Sequence, residues 1–374
     1  MKRVTLACLF LAFAGPASGQ SHGHHHAERE IVFPDVDGYL TLSTDFHMHS
    51  VFSDGSVWPN IRVQEALRDG LDAISLTEHL EYQPHADDIP HPDRNRSYEV
   101  ASNVAQNSDL IIISGSEITR SMPPGHTNAI FVEDSNLLLQ SDSVAVFREA
   151  KRQGAFIFWD HPNWTAQRPN GIAELTDLHR RFIDEGMLHG IEVVNDVTYS
   201  DEALQIALDH NLTIMGTSDI HGLVDWQYEV PKGGHRPVTL VFSTERSQDG
   251  IKEGLMARRT VVWFKDVLVG REEHVKLLLD SMIEVASAGY MPDTDVLRVV
   301  LYNNSSAKLI LRNTGAYSFH GDSDLITLEG HHERIIDVKT GQRMEGPLSL
   351  TFEVMNATVA PRTHPTISIA VQPE

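Results

Sequence analysis

A histidine or carboxylate stands at the end of one short apolar run after another between residues 40 and 221 of this 374-residue chain. Runs at 40–46, 73–76, 110–114, 155–159 and 212–216 lead into His47 and His49, Glu78 and His79, Glu117, Asp160 and His161, and Asp219 and His221. Each has the length and the β-branched or aromatic content of a buried strand, and further runs at 129–132 and 190–194 extend the series to seven. Helix-like stretches at 61–68, 143–152, 172–184 and 201–209 fall between them. Strands that end alike meet at one place only if they run the same way. The pattern therefore predicts an α/β domain with a largely parallel sheet. Seven strands over about 230 residues suit a closed or nearly closed barrel, whose active sites form at the carboxyl ends of the strands.

Segments 237–243, 248–258 and 260–264 continue this style and complete a first domain over 40–273. From His274 onward helix-length segments thin out. Runs at 296–302, 307–311, 348–354 and 366–371 alternate or are β-branched, with Asn303-Asn304 and Asn313-Thr314-Gly315 as turns. Residues 274–374 are expected to form a small all-β, sandwich-like domain.

At the other end, Lys2 and Arg3, an apolar run over 4–14 and Ala17-Ser18-Gly19 read as a secretory signal over 1–19, cleaved before Gln20. The run is shorter than the roughly 20 residues that cross a bilayer, so the mature chain is expected to carry no membrane span and to be periplasmic or secreted. Cys8, the one cysteine, lies in that signal, which leaves no disulfide and no thiolate ligand. A lipoprotein reading of Leu6-Ala7-Cys8 has too little apolar sequence before it. Residues 20–39 read as a flexible leader in which His22, His24, His25 and His26 are either solvated or gather metal. Loss of Lys2 and Arg3, with no acid in 1–19, takes the formal charge from −22 to −24. Such a chain repels long nucleic acids and anionic lipid. A small phosphorylated substrate remains compatible, because bound cations invert the local field.

In Asp45-Phe46-His47-Met48-His49 the two histidines are two residues apart on a strand, so they reach one ion from the same side. Asp219-Ile220-His221 repeats that spacing. With His79, Glu117 and His161, and with Asp54 and His126 from loops, nine candidate ligands accumulate: six imidazoles, three carboxylates and no sulfur. Nitrogen and oxygen donors suit Zn, Mn or Fe. Nine ligands exceed the needs of one tetrahedral ion, which points to two or three divalent ions sharing a bridge.

In this spaced series, residues 45–265 resemble the polymerase and histidinol phosphatase (PHP) superfamily of metal-dependent phosphoesterases. The resemblance implies that His47, His49, Glu117 and Asp219 hold one ion and that Glu117 bridges to a second held by His126 and His161. A third would sit on Asp54, His79 and His221, although some family members carry histidine where this chain has Asp54. The implied fold is a distorted barrel of seven strands and helices. The implied chemistry is attack of a metal-bridging hydroxide on phosphorus, with Glu117, Asp219 and His221 acting through bound metal. In its layout the chain resembles exported PHP phosphodiesterases with an appended β domain, so a small diester is the expected substrate and a monoester the alternative.

Asp45, Glu78, Asp160 and Glu192 stand where they could orient imidazoles. Arg120, Arg168 and Arg236 are candidates for forking onto phosphate oxygens, and Asn163, Trp164 and Tyr199 for receiving the organic group. Two rival readings remain. An amidohydrolase also opens with His-x-His, but no lysine stands where a carboxylated bridge belongs. A periplasmic metal-binding protein would use the same ligands without turnover.

Overall fold

The computed structural model describes residues 29–373; the signal expected at 1–19 and the four histidines of the leader lie outside the described residues. Among the described residues no helix is long and apolar enough to cross a membrane.

The first domain opens with β1 (Leu40–Asp45), α1 (Pro59–Arg68), β2 (Ala73–Ser75), α2 (Arg96–Ala105) and the closely spaced β3 (Ile111–Ile113) and β4 (Gly115–Ile118). Then come β5 (Thr127–Ile130), α3 (Ser143–Arg152), β6 (Phe156–Trp159), α4 (Asp177–Asp184), β7 (Gly190–Asn195), β8 (Thr198–Tyr199), α5 (Asp201–Asp209) and β9 (Thr213–Thr217). It closes with α6 (Val224–Gln227), β10 (Val238–Ser243), α7 (Gln248–Met256), β11 (Thr260–Phe264), β12 (Val267–Gly270) and α8 (Glu272–Met282).

Helix starts follow local chemistry. Asp142 accepts from the amide of Ala145 before α3, and Ser200 from that of Ala203 before α5. The helix expected from residue 172 begins only at Asp177, because Thr176 is extended and forms a reciprocal capping box with His179.

The sheet is mixed rather than largely parallel. Ladders β1–β2, β2–β3, β6–β7 and β7–β9 are parallel. Ladders β1–β10, β10–β11, β11–β12, β4–β5 and β5–β6 are antiparallel. One cause is a two-residue connection, Lys265-Asp266, with φ of 47° and 61°: such a turn can only reverse the chain. The ladders divide into two pieces, β12-β11-β10-β1-β2-β3 and β4-β5-β6-β7, with β8 and β9 also on β7. Two single bridges, His79–Glu117 and Met48–Ile220, join the pieces where the strand-final histidines and carboxylates lie.

Helix α8 crosses the boundary expected at 273/274, and the all-β region begins at Ile283. Val275, Leu278, Leu279 and Met282 form the buried face of that helix at the spacing of one helical side. Beyond it follow β13 (Ile283–Tyr290), β14 (Val296–Asn303), β15 (Leu309–Asn313), β16 (Ser318–Phe319) and β17 (Leu325–Leu328). The last strands are β18 (Glu333–Lys339), β19 (Leu348–Val354), β20 (Ala357–Thr358) and β21 (Thr366–Val371). Sheets β13-β14-β18-β16 and β17-β15-β19-β21 share one core that includes Leu297, Leu301, Val338, Leu350 and Phe352. Strand β20 leaves that sandwich to pair with β12, so the two domains share a sheet edge.

Candidate metal centre

Past β1 the side chains of His47 and His49 return to the same side, their rings 5.1 Å apart. The Met48–Ile220 bridge sets Asp219 against them. His47 Nε2 and His49 Nε2 lie 3.1 Å from each other and 3.2 and 3.1 Å from Asp219 Oδ1. Glu117, held opposite His79 by the other bridge, brings Oε2 to 3.5 and 3.3 Å from the same nitrogens. Its Oε1 faces His126 Nδ1 at 2.6 Å and His161 Nε2 at 3.6 Å. Asp54 lies 3.4 Å from His79 Nε2 and 3.1 Å from His221 Nε2. All nine residues meet in one cluster, with His47, His49 and Glu117 wholly buried.

The donor set fits divalent ions. Both oxygens of Glu117 are buried without a hydrogen bond, as are Asp54 Oδ1, His126 Nδ1 and His161 Nδ1. Such orphaned atoms are destabilising unless something else satisfies them. Two ligand atoms on a tetrahedral ion at about 2.1 Å are roughly 3.4 Å apart, close to the spacing within His47, His49, Asp219 and Glu117. The backbone is strained at two of the nine: His161 has φ 30° and Asp219 φ 49°. Gly55 lets the Asp54 loop fold back, since a Cβ there would fall 2.7 Å from His49 C and Ser50 N.

Charge in the cluster is polarised. Burial opposes a charge on His79, but Glu117 and Asp54 outweigh it and push its pKa up to about 11. Likewise burial of His47 is overcome by Asp219 and Glu192, which hold it well above the usual imidazole range. His49, as deeply buried and repelled by His79, falls to about 3. Burial raises Glu117, yet the charge of His79 and the close His126 and His161 imidazoles hold its carboxyl well below the usual range. Burial pushes Asp160 well above that range, against the pull of His47 and with repulsion from Glu192.

Several neighbours fix the ligands. Glu192 Oε1 lies 2.8 Å from His47 Nδ1, while its Oε2 accepts from the His161 amide and from Asn195 Nδ2. Glu78 accepts from the hydroxyl of Ser53, which lies 3.3 Å from His49 Nδ1. Asp45 pairs with Arg236 and accepts from the Ser218 amide just before Asp219. Asp160 is buried with neither oxygen hydrogen-bonded.

Arg62 on α1 was not among the residues anticipated. Wholly buried, it donates to the carbonyls of His49 at 2.8 Å, Ile220 at 3.0 Å and Gly222 at 2.7 Å, and pairs with Glu65 at 2.7 Å. One guanidinium thus clasps the two loops that carry His49 and the Asp219/His221 pair. Its signal in the sequence was a charged pair on the helix face that also holds Pro59, Val63 and Ala66.

A cleft of about 490 Å³ opens over the cluster, walled by Asn163, Trp164, Thr165, Asn195, Asp196, Thr198 and Gln227 besides ligands. Of the residues expected to receive the organic group, Asn163 and Trp164 line the cleft. Tyr199 does not line the cleft; its hydroxyl donates to Asp201, and Thr198 takes the wall position. The three expected arginines are committed elsewhere. Arg236 is buried between Asp69 and Asp45, Arg120 pairs with Glu81, and Arg168 donates to the carbonyl of Glu174. Asn195, Asp196 and Gln227 went unforeseen because nothing in the sequence marks the end of β7 or the short helix α6 as cleft wall.

Residues 283–370 match a family model described as an Ig-like domain (DUF5001). No curated protein sequence matches the chain. The structure is similar to a crystal structure of a two-domain protein from Bacteroides vulgatus containing a predicted PHP-like metal-dependent phosphoesterase. The two are 43% identical, with 91% of this chain and 98% of the other covered and a TM-score of 0.85. A candidate metal-dependent phosphoesterase from Bifidobacterium adolescentis is 17% identical over 48% of this chain and 88% of its own, with a TM-score of 0.38. An amidohydrolase from Chromobacterium violaceum is 14% identical over 48% and 87%, with a TM-score of 0.35. At TM-scores this low neither establishes a shared fold.

Proposed function

Because the chain belongs to the two-domain PHP-like metal-dependent phosphoesterases, we propose that it hydrolyses small phosphodiesters, using two or three divalent ions of Zn, Mn or Fe. The observation that carries the diester is the charge of the cleft wall, which includes no lysine or arginine. A monoester dianion calls for fixed cations beyond the metal site, whereas a diester carries a single charge. Bound ions would neutralise phosphoryl oxygens and bring the pKa of a water near neutrality.

The chain's own residues prepare that event. Glu117, with one oxygen toward each of two ligand groups, would be the bridge between two ions; His47, His49 and Asp219 stand on one side of it and His126 and His161 on the other. Asp54, His79 and His221 would hold a third ion. Glu192 fixes the tautomer and tilt of His47. In the overall reaction water adds across one P–O ester bond: its oxygen joins phosphorus with one proton, the bond to the alcohol breaks, and the other proton leaves on the alcohol. The distorted-barrel reading of the first domain is supported by the two bridges, which link β1, β2, the β3/β4 run, β5, β6, β7 and β9 into a ring. Export to the periplasm or beyond is supported by the sequence of residues 1–19 and is compatible with the appended Ig-like domain.

The test is nitrophenol release from bis(4-nitrophenyl) phosphate and from 4-nitrophenyl phosphate, with Mn or Zn added and a chelator as blank. Faster, chelator-sensitive diester cleavage is expected. A monoester preference would recast the chain as a phosphatase. Silence on both, with turnover of amides or lactones, would favour the amidohydrolase reading; with no turnover at all, metal storage.

A further inference from the structure

Outside the ligands, the cleft wall carries one exposed aromatic ring, one carboxylate and several neutral hydrogen-bonding groups. Trp164 is 45% exposed, its ring 5.6 Å from that of His126 and 5.1 Å from that of His161. It therefore stands beside the place a phosphoryl group would occupy. Asp196 is rigidly set. Its φ is 50°, its amide donates to Thr217 O at 3.1 Å, and its Oδ1 accepts from Gln227 Nε2 at 2.6 Å and Tyr228 Oη at 3.2 Å. No hydrogen bond among the described residues engages Oδ2, so one carboxylate oxygen of this wall residue is a vacant acceptor.

Resting on the diester reading of the same site, we infer that the alcohol side of the cleft takes an uncharged, hydroxyl-rich group, a sugar or linear polyol, and rejects an anionic one. The apolar face of Trp164 packs on the C–H face of such a group. Asp196 accepts from a hydroxyl in a charge-assisted bond, and Asn163, Asn195, Thr198 and Gln227 supply further neutral partners. An anionic alcohol would meet Asp196 with no side-chain cation in the wall to offset the repulsion. A quaternary ammonium fits less well, because its recognition uses an aromatic cage and this wall has a single ring.

The test uses the full chain loaded with Mn and three methyl phosphodiesters whose second ester is glycerol, choline or glycerate. The alcohol released is quantified by mass spectrometry, with bis(4-nitrophenyl) phosphate alongside. Glycerol release should exceed glycerate release by about tenfold in kcat/KM, with choline below glycerol. Asp196→Asn should shrink the glycerol-to-glycerate ratio by about fivefold, and Trp164→Ala should lower glycerol release by about as much. Aryl diester cleavage with equal release of the three alcohols, a choline preference, or an unchanged ratio in D196N would overturn the inference and leave the diester reading intact. If every diester stays whole while 4-nitrophenyl phosphate is cleaved, the diester reading falls and this inference with it.

Discussion

Strand β7 of the first domain is buried along its whole length, whereas β14 of the second buries every other residue and turns the rest partly or fully to water. The contrast has a physical origin. A strand covered on both faces has little outlet for polar side chains along its length: Glu192 within β7 is held by His47 and the His161 amide, and toward the strand ends Asp45, His47, Glu117 and Asp160 accumulate, all buried. A half-covered strand disposes of its polar groups along its length, and among the described residues every group of side chains poised for a metal ion lies in the first domain. Buried charge is destabilising unless paired or ligated. Substitutions at the strand ends should therefore register in chemistry, and substitutions in the sandwich core in stability.

The largest effect is expected at Glu117, the one residue that faces both ligand groups. Glu117→Gln keeps the shape and removes the charge. Turnover should fall by about 10⁴-fold, with metal content per chain, read by mass spectrometry, reduced as well. Full metal content with undiminished turnover would remove Glu117 from the centre and break the contrast at its root.

Next comes the other domain. Phe352 is fully buried, packed near Phe319 at 6.2 Å between ring centroids. Phe352→Ala should cost about 3–5 kcal/mol in urea unfolding while kcat per folded molecule stays as it was. A fall in kcat without a shift of the unfolding midpoint would mean that the sandwich takes part in catalysis.

The sequence already carried seven of the nine ligands because each stands at the end of an apolar run, and a spacing of two on a strand puts His47 and His49 together whatever the rest of the fold does; Asp54 and His126, in loops, had no such marker. Sheet direction was less legible. The alternation of runs and helices reads as parallel, yet Lys265-Asp266 folds back as a hairpin although neither residue is glycine or asparagine. Helix α8 was missed because its apolar face lies across a change of texture. The arginines misled, because a guanidinium in a loop sequence looks alike whether it awaits phosphate or, as with Arg236, sits between Asp45 and Asp69.

Arg62 sharpens the comparison, since it is a buried charge of the first domain that touches no candidate ligand side chain. If its role is to hold the two ligand loops in register, Arg62→Met should weaken metal affinity or activity by about 10–100-fold beyond what its unfolding midpoint accounts for. A variant that loses stability alone would make Arg62 ordinary core. Competitive titration with a chromogenic chelator separates the two.

A smaller, graded effect concerns pH. His79 is held near a pKa of about 11, above its ordinary 6.5, so at neutral pH it carries a proton that must leave before its nitrogen can hold an ion. Affinity for Zn or Mn should therefore rise with pH, by about tenfold per unit for each proton released. The same titration at pH 6, 7 and 8 checks it, and a flat profile would mean that His79 stays outside the ion's reach.

The smallest effect lies on the seam that keeps the contrast from being complete. Asn356, beside β20, donates to the carbonyls of Asp266 at 2.6 Å and Lys308 at 2.7 Å, and its Oδ1 accepts from the amide of Ile310 at 2.8 Å. One side chain thus ties the β11–β12 hairpin of the first domain to the sandwich, next to the β12–β20 pairing. Asn356→Ala leaves those groups without a partner and should cost about 1–2 kcal/mol. In calorimetry the intact chain should melt in one transition that moves as a whole when metal is chelated, because ligation in one domain stabilises everything that unfolds with it. Two transitions in the unmodified chain, only one of them sensitive to chelation, would instead make the domains independent units whose contrast is merely one of neighbours.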